Sequence, residues 1–227
     1  MLDCIQLTAP SYERIAYATA LRLGYPDSGR ADNMIAGEVR CSYETAMTIG
    51  KPKYCCNVSP IKSCGGEIIE LAGFVIRSSK WAHAALRLHN PSTACCFALT
   101  LGAAVDERIE TMQDENFFKA FVFNAVCSSL AEEYADQAER AIARRMQNDA
   151  LEATARFSPG YCDWGLLDGQ REIFSFLNPE SIGITMNEAG AMTPLKSITA
   201  VMICADEVRN KTACAYCGNS SCEYRRS

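Results

Sequence analysis

The chain has 227 residues, a formal net charge of −5, and 48% apolar against 22% charged residues. That length and mix suit one domain or two small ones with a real core, and exclude a disordered or collagen-like chain. The mild acidity argues against a broad nucleic-acid-binding face, which needs a basic stripe.

The opening residues, Met1-Leu2-Asp3-Cys4, lack a basic region followed by an apolar core, so no secretory signal is read there. Residues 11–50 read as mainly helical, with a first helix ending near Gly24-Tyr25-Pro26. Residues 51–66, rich in Lys, Pro, Cys and Gly, read as loop or irregular strand. A strand pair, or one strand kinked at Gly73, is expected over 67–77, then a short helix from Ser79 to Leu88. The continuous apolar run at 94–101 fits a buried central strand, although pattern alone does not separate it from a buried helix. With its extension to Val105 it is the longest near-apolar stretch, broken by Thr100 and Gly102 and too short to span a bilayer.

The clearest element is a long helix over 116–147, where Ala120, Phe123, Cys127, Leu130, Tyr134, Ala138 and Ala141 recur at three- and four-residue steps. Arg140, Arg144 and Arg145 suit the negative end of its dipole. Beyond Ala155, Arg156-Phe157-Ser158-Pro159-Gly160-Tyr161 is a turn sequence: Pro presets φ and Gly permits a positive one. A helix over 168–177 and strands over 182–187 and 196–204 complete the reading.

Thirteen cysteines is a high and odd count that forms no compact even framework, and two pairs are adjacent, Cys55-Cys56 and Cys95-Cys96. A reducing cytoplasm with most thiols free is the expected setting, many of them acting as small apolar core residues. With only His83 and His89, and no His-Glu-x-x-His, Gly-x-Ser-x-Gly, Walker or dinucleotide-binding glycine motif, an ordinary hydrolase or Rossmann-type enzyme is disfavoured.

From Arg156 onward the sequence resembles the activation (reactivation) domain of vitamin B12-dependent methionine synthase, in its small free-standing form. The Arg-x-x-Pro-Gly-Tyr turn is followed by Gly183-Ile184-Thr185-Met186-Asn187-Glu188-Ala189 and by Met192-Thr193-Pro194-Leu195-Lys196-Ser197. Upstream, Thr100-Leu101-Gly102-Ala103-Ala104-Val105-Asp106 and Leu130-Ala131-Glu132 are also similar to the family. Asn187 and Ala189 depart from its hydroxyl-bearing pattern, and residues 1–66 carry no matching motif.

The resemblance implies an α+β fold: a mostly antiparallel sheet covered by the long helix. The chain is read as an N-terminal mainly helical subdomain over 1–65, an activation-domain-like ligand-binding domain over 66–205 and a cysteine-containing tail over 206–227. The resemblance also implies S-adenosylmethionine as ligand, Arg156 as partner of its carboxylate, Glu132 as partner of its ammonium or ribose, and Ser158, Gly160 and Tyr161 beside its adenine. Read singly, Arg156 fits a surface ion pair, Glu132 a solvated position near Ser129 and Asp136, and Pro159-Gly160 a bare turn. Their order with the other motifs favours the binding roles.

The function implied is a stand-alone reactivation subunit. It supports reductive methylation of inactive cob(II)alamin on a partner corrinoid protein, methionine synthase or another, with flavodoxin or ferredoxin as electron donor. Because the methyl acceptor sits on the partner, calling the chain an enzyme is a matter of definition. No Asp-x-His-x-x-Gly cobalamin-carrying signature is present, so cobalamin is expected on the partner. The alternative is a metal-binding electron-transfer or scaffold protein, raised by Cys214-x2-Cys217-x4-Cys222. Those three thiols suit zinc or an iron–sulfur cluster only with a further ligand, such as Cys204, Cys64 or the Cys55-Cys56 pair, and otherwise read as a tail of reduced cysteines.

Overall fold

A computed structural model describes residues 6–25 and 33–209. Helices α1 (Tyr12–Arg22) and α2 (Asn33–Ile49) lead into strands β1 (Lys53–Gly65), β2 (Ile68–Leu71) and β3 (Val75–Arg77). Helix α3 (Ser79–Leu86), strand β4 (Thr93–Thr100) and helices α4 (Ala103–Glu115) and α5 (Phe117–Gln147) follow. Then come β5 (Glu152–Ala153), α6 (Leu166–Leu177), the hairpin β6 (Thr185–Met186) and β7 (Met192–Thr193), and β8 (Ser197–Ala205). The order β3-β2-β1-β4-β8-β5 makes one six-stranded sheet in which every pairing is antiparallel. The fold is α+β, as the sequence implies.

Strands β4 and β8 are buried on both faces, which explains their unbroken apolar text. Cys96, Ala98, Val201 and Ile203 point to one side, where α3 and α6 supply Trp81, Ala85, Ile173 and Phe174. Cys95, Phe97, Ala200 and Met202 point to the other, where Ala135, Ala138, Ile142 and Met146 of α5 cover them. The sheet is therefore covered on both faces, with the long helix on one. The 31-residue α5 starts where the Asn116 side chain accepts the Lys119 N–H at 3.1 Å and closes with Arg144 and Arg145 in its last turn. Helices α1 and α2 pack on α5: Ile15 and Val39 join Val126 and Leu130, and Thr19 Oγ1 donates to Ser129 Oγ at 3.1 Å.

One stretch settles a reading the sequence left open, and another differs from it. Of loop and irregular strand, residues 51–66 take the strand, the thirteen-residue central β1. Its first part, to Pro60, pairs with β4, and its last part pairs with β2 across a bulge between Ile61 and Ser63. Pro60 falls at that change of partner, where a missing N–H is tolerated, so the proline that reads as a breaker marks a switch. Residues 182–187 do not join the sheet. The Asn187 side chain accepts the Ala189 and Ala191 N–H groups, each at 3.0 Å, and folds β6 back on β7 as a separate hairpin.

Candidate functional site

Chain geometry puts Arg156 and the turn behind it at the open edge of β8. Beyond β5 the chain still follows that edge: Phe157 and Val201 exchange backbone hydrogen bonds of 2.9 and 2.8 Å. Ser158 Oγ then donates to the Thr199 carbonyl at 2.6 Å, and the chain leaves the sheet. In the turn, the Gly160 N–H donates to the Trp164 carbonyl at 2.8 Å and the Trp164 N–H to the Tyr161 carbonyl at 3.1 Å. Gly160 has φ +89°, a region that strains any L side chain, and an added Cβ would stand 3.4 Å from Leu166 Cδ1.

Packing and polar anchors both fix this turn. The Phe157 ring stacks on Trp81 at 3.9 Å between centroids and meets Trp164 at 5.6 Å. Asp163 ties it to the start of α3, accepting from the Ser78 hydroxyl, from Ser79 Oγ at 2.6 Å and from the Lys80 N–H at 3.1 Å. Burial pushes the Asp163 carboxyl up, but these hydrogen bonds outweigh it and hold its pKa at about 2.

On the facing side, α5 presents a half-buried polar stripe: Asn124, Ser128, Glu132, Asp136 and Glu139, about one residue per turn. Arg156 reaches across to it. Its Nη2 donates to Glu132 Oε2 at 2.8 Å, and its Nη1 to Asp136 Oδ1 at 2.6 Å and to Glu139 Oε2. The Arg156 side chain is only 10% exposed, whereas Glu132 is 36% exposed, the most open of the three acids. Burial disfavours the charged guanidinium, but Asp136, Glu139 and Glu132 overcome it and raise its pKa. Three carboxylates share the one Arg156 guanidinium, an acid-rich arrangement suited to a cationic ligand group.

The match to known families decides the identity. Residues 84–223 match the family described as vitamin B12 dependent methionine synthase, activation domain. The chain belongs to that family. The activation domain also shares the fold of a solved structure described as the MetH reactivation domain bound to AdoHcy. That likeness has a TM-score of 0.60 at 13% identity and covers 87% of this chain and 76% of the other. No curated protein matches the chain in sequence.

Within this activation domain, the structure gathers Arg156 and Glu132 into one ion cluster and sets Ser158, Gly160 and the 63%-exposed Tyr161 on the adjoining turn. Both Nη atoms of Arg156 already carry protein carboxylates. Asp136 and Glu139 belong to the cluster and were not singled out from the sequence, although their four- and seven-residue spacing from Glu132 puts them on the same helix face. Ser129 lies instead on the buried side of α5, against Thr19.

Cys214, Cys217 and Cys222 lie outside the described residues. Among the described residues, no group of three or more His, Cys, Asp or Glu side chains is arranged to hold a metal. Cys204 sits fully buried with its sulfur 3.7 Å from that of Cys95, and all nine described cysteines are free thiols. No described helix is long and apolar enough to cross a membrane.

Proposed function

We propose that this activation domain binds S-adenosylmethionine at the Arg156 cluster of α5 and the adjoining turn at 156–161, for methyl transfer to a corrinoid protein docked on it. The observation that carries this reading is the acid-rich Arg156 cluster beside a rigid, glycine-containing turn. The ligand bears two positive groups, an α-ammonium and a sulfonium, and both suit carboxylates. Glu132, the most open acid, takes the ammonium, while Arg156 holds the three carboxylates in register and keeps their mutual repulsion in check. Gly160 lets an adenine approach the backbone closely, with Ser158 and Tyr161 beside it.

No general acid or base is required of this chain, because methyl transfer from a sulfonium moves no proton. Cobalamin held by the partner would supply the nucleophile and accept the methyl group once a flavodoxin or ferredoxin had reduced it, with the C–S bonding electrons left on sulfur. What the chain contributes is orientation: the amino-acid end is fixed on α5 and the adenine on the turn, so the methyl faces outward. The partner is a methionine synthase or another corrinoid methyltransferase, and the free thiols fit a cytoplasmic setting.

The test is transfer of labelled methyl from S-adenosylmethionine to a candidate corrinoid protein under strong reduction, with methylcobalamin read by its spectrum. Transfer should require this chain and fall at least about tenfold with Glu132→Gln, the effect of losing one charge-assisted contact. Transfer at the same rate without the chain would contradict the proposal.

A further inference from the structure

The polar stripe of α5 has a second cation at its other end. Lys196, just before β8, extends toward α5, and its Nζ donates to Asn124 Oδ1 at 2.6 Å and to Ser128 Oγ at 3.0 Å. Both acceptors are neutral, and among the described residues no carboxylate lies within ion-pair distance of Nζ. An ammonium has three donors, and these bonds use two. The side chain is half-buried, so its charge is poorly hydrated: burial lowers its pKa, Cys127 and Asp106 act against that, and Arg22 adds to it.

The placement of Lys196 is secured independently of any ligand. Asp106, in the first turn of α4, accepts the Leu195 N–H through Oδ2, while its buried Oδ1 has no hydrogen-bond partner among the described residues. The Leu101 N–H donates to the Lys196 carbonyl at 3.0 Å. Nζ is thereby held at Ser128, one helical turn from Glu132, about 6 Å along the α5 axis.

We propose that Lys196 is the anion-binding end of the polar stripe on α5 and takes the α-carboxylate of the amino-acid moiety, with Glu132 taking its ammonium. This rests on the reading of that stripe as part of a site for S-adenosylmethionine and names the residue that selects the carboxylate. A zwitterion needs a cation and an anion within one amino acid's reach, and Lys196 at Ser128 and Glu132 supply that pair. Arg156 is the weaker candidate. Its Nη atoms hold three carboxylates, which repel a fourth.

The test is calorimetric titration of the full chain with S-adenosylmethionine and with its decarboxylated form, which keeps the sulfonium, adenosine and amine. Wild type should bind the carboxylate-bearing ligand about 10- to 100-fold more tightly, the range of a charge-assisted contact. In Lys196→Met that preference should vanish through weaker binding of S-adenosylmethionine alone, and normal binding of the decarboxylated ligand would show the variant folded. Equal affinity of wild type for both ligands overturns the proposal, whatever the variant does. It is also overturned if Lys196→Met keeps the preference or loses both ligands equally, or if Arg156→Lys alone loses the preference. Wild type binding neither ligand would sink the underlying reading as well, an outcome distinct from the others.

Discussion

Replacing Arg156 by Met tests the view that one guanidinium holds three acids together. The substitution preserves much of the apolar stem but removes the guanidinium that Glu132, Asp136 and Glu139 share. Carboxylates that share one guanidinium lie roughly 5 Å apart, where like charges at an effective dielectric of about 20 repel by some 3 kcal/mol per pair. Water reaches all three acids, which are 23 to 36% exposed, so most of this is screened. A net loss of about 2–3 kcal/mol follows, below the ~3–5 kcal/mol of a fully buried broken pair. Arg156→Lys keeps the charge but not the fork and should lose about 1 kcal/mol. Urea melts at low and at high salt would measure both. The Met variant's deficit should shrink at high salt, where screening relieves the repulsion. A Met variant as stable as wild type at low salt, or a deficit indifferent to salt, would refute the reasoning.

Further outcomes bear on the turn and the thiols. Asp163→Ala removes the anchor to α3 and should cost about 1 kcal/mol, a typical capping loss. Because the folded-state pKa of Asp163, about 2, lies below the ordinary 3.8, its contribution is full above pH ~4 and fades as pH falls through 2. The gap between wild-type and Asp163→Ala melting temperatures should therefore close between pH 4 and pH 2. Gly169→Ala would bring a Cβ to 2.7 Å from Trp164 Nε1 and 2.8 Å from Pro159 Cβ, so it should destabilise by about 1–3 kcal/mol and weaken ligand binding by displacing the turn. Calorimetry and melts on the same sample would check both effects. Alkylation at pH 8 followed by peptide mapping should label Cys41, which is exposed, well before Cys127, whose buried thiol is pushed up to about 12. Equal labelling of the two would show that α5 opens readily.

Sequence carried the long helix and central strands because their burial is written in periodicity. Phe123, Cys127, Leu130 and Tyr134 repeat at helical spacing, and residues 94–99 are apolar without a break. It left β1 open between loop and irregular strand, because Lys, Pro and Cys give no clean alternation. Two neighbouring strands satisfy its backbone, and Pro60 sits where the partner changes. Conversely, Ile184-Thr185-Met186 looks like a sheet strand, but Asn187 turns it back into a hairpin of its own. Arg156 and Glu132 were legible as a pair only through family resemblance, since 24 residues separate them. Asp136 and Glu139 were readable in principle from helix spacing. Lys196 was visible as a residue, but its two neutral partners on α5 depend on how β8 lies against that helix.

The most direct measurement is calorimetric titration of the wild-type chain with S-adenosylmethionine, repeated with S-adenosylhomocysteine as competitor and on Glu132→Gln. The account predicts saturable one-to-one binding, displacement by the competitor, and an affinity at least about tenfold weaker in the variant at unchanged stability. Binding unaffected by Glu132→Gln would place the ligand elsewhere, and absence of binding at millimolar ligand, alone and with a corrinoid protein present, would contradict the central claim.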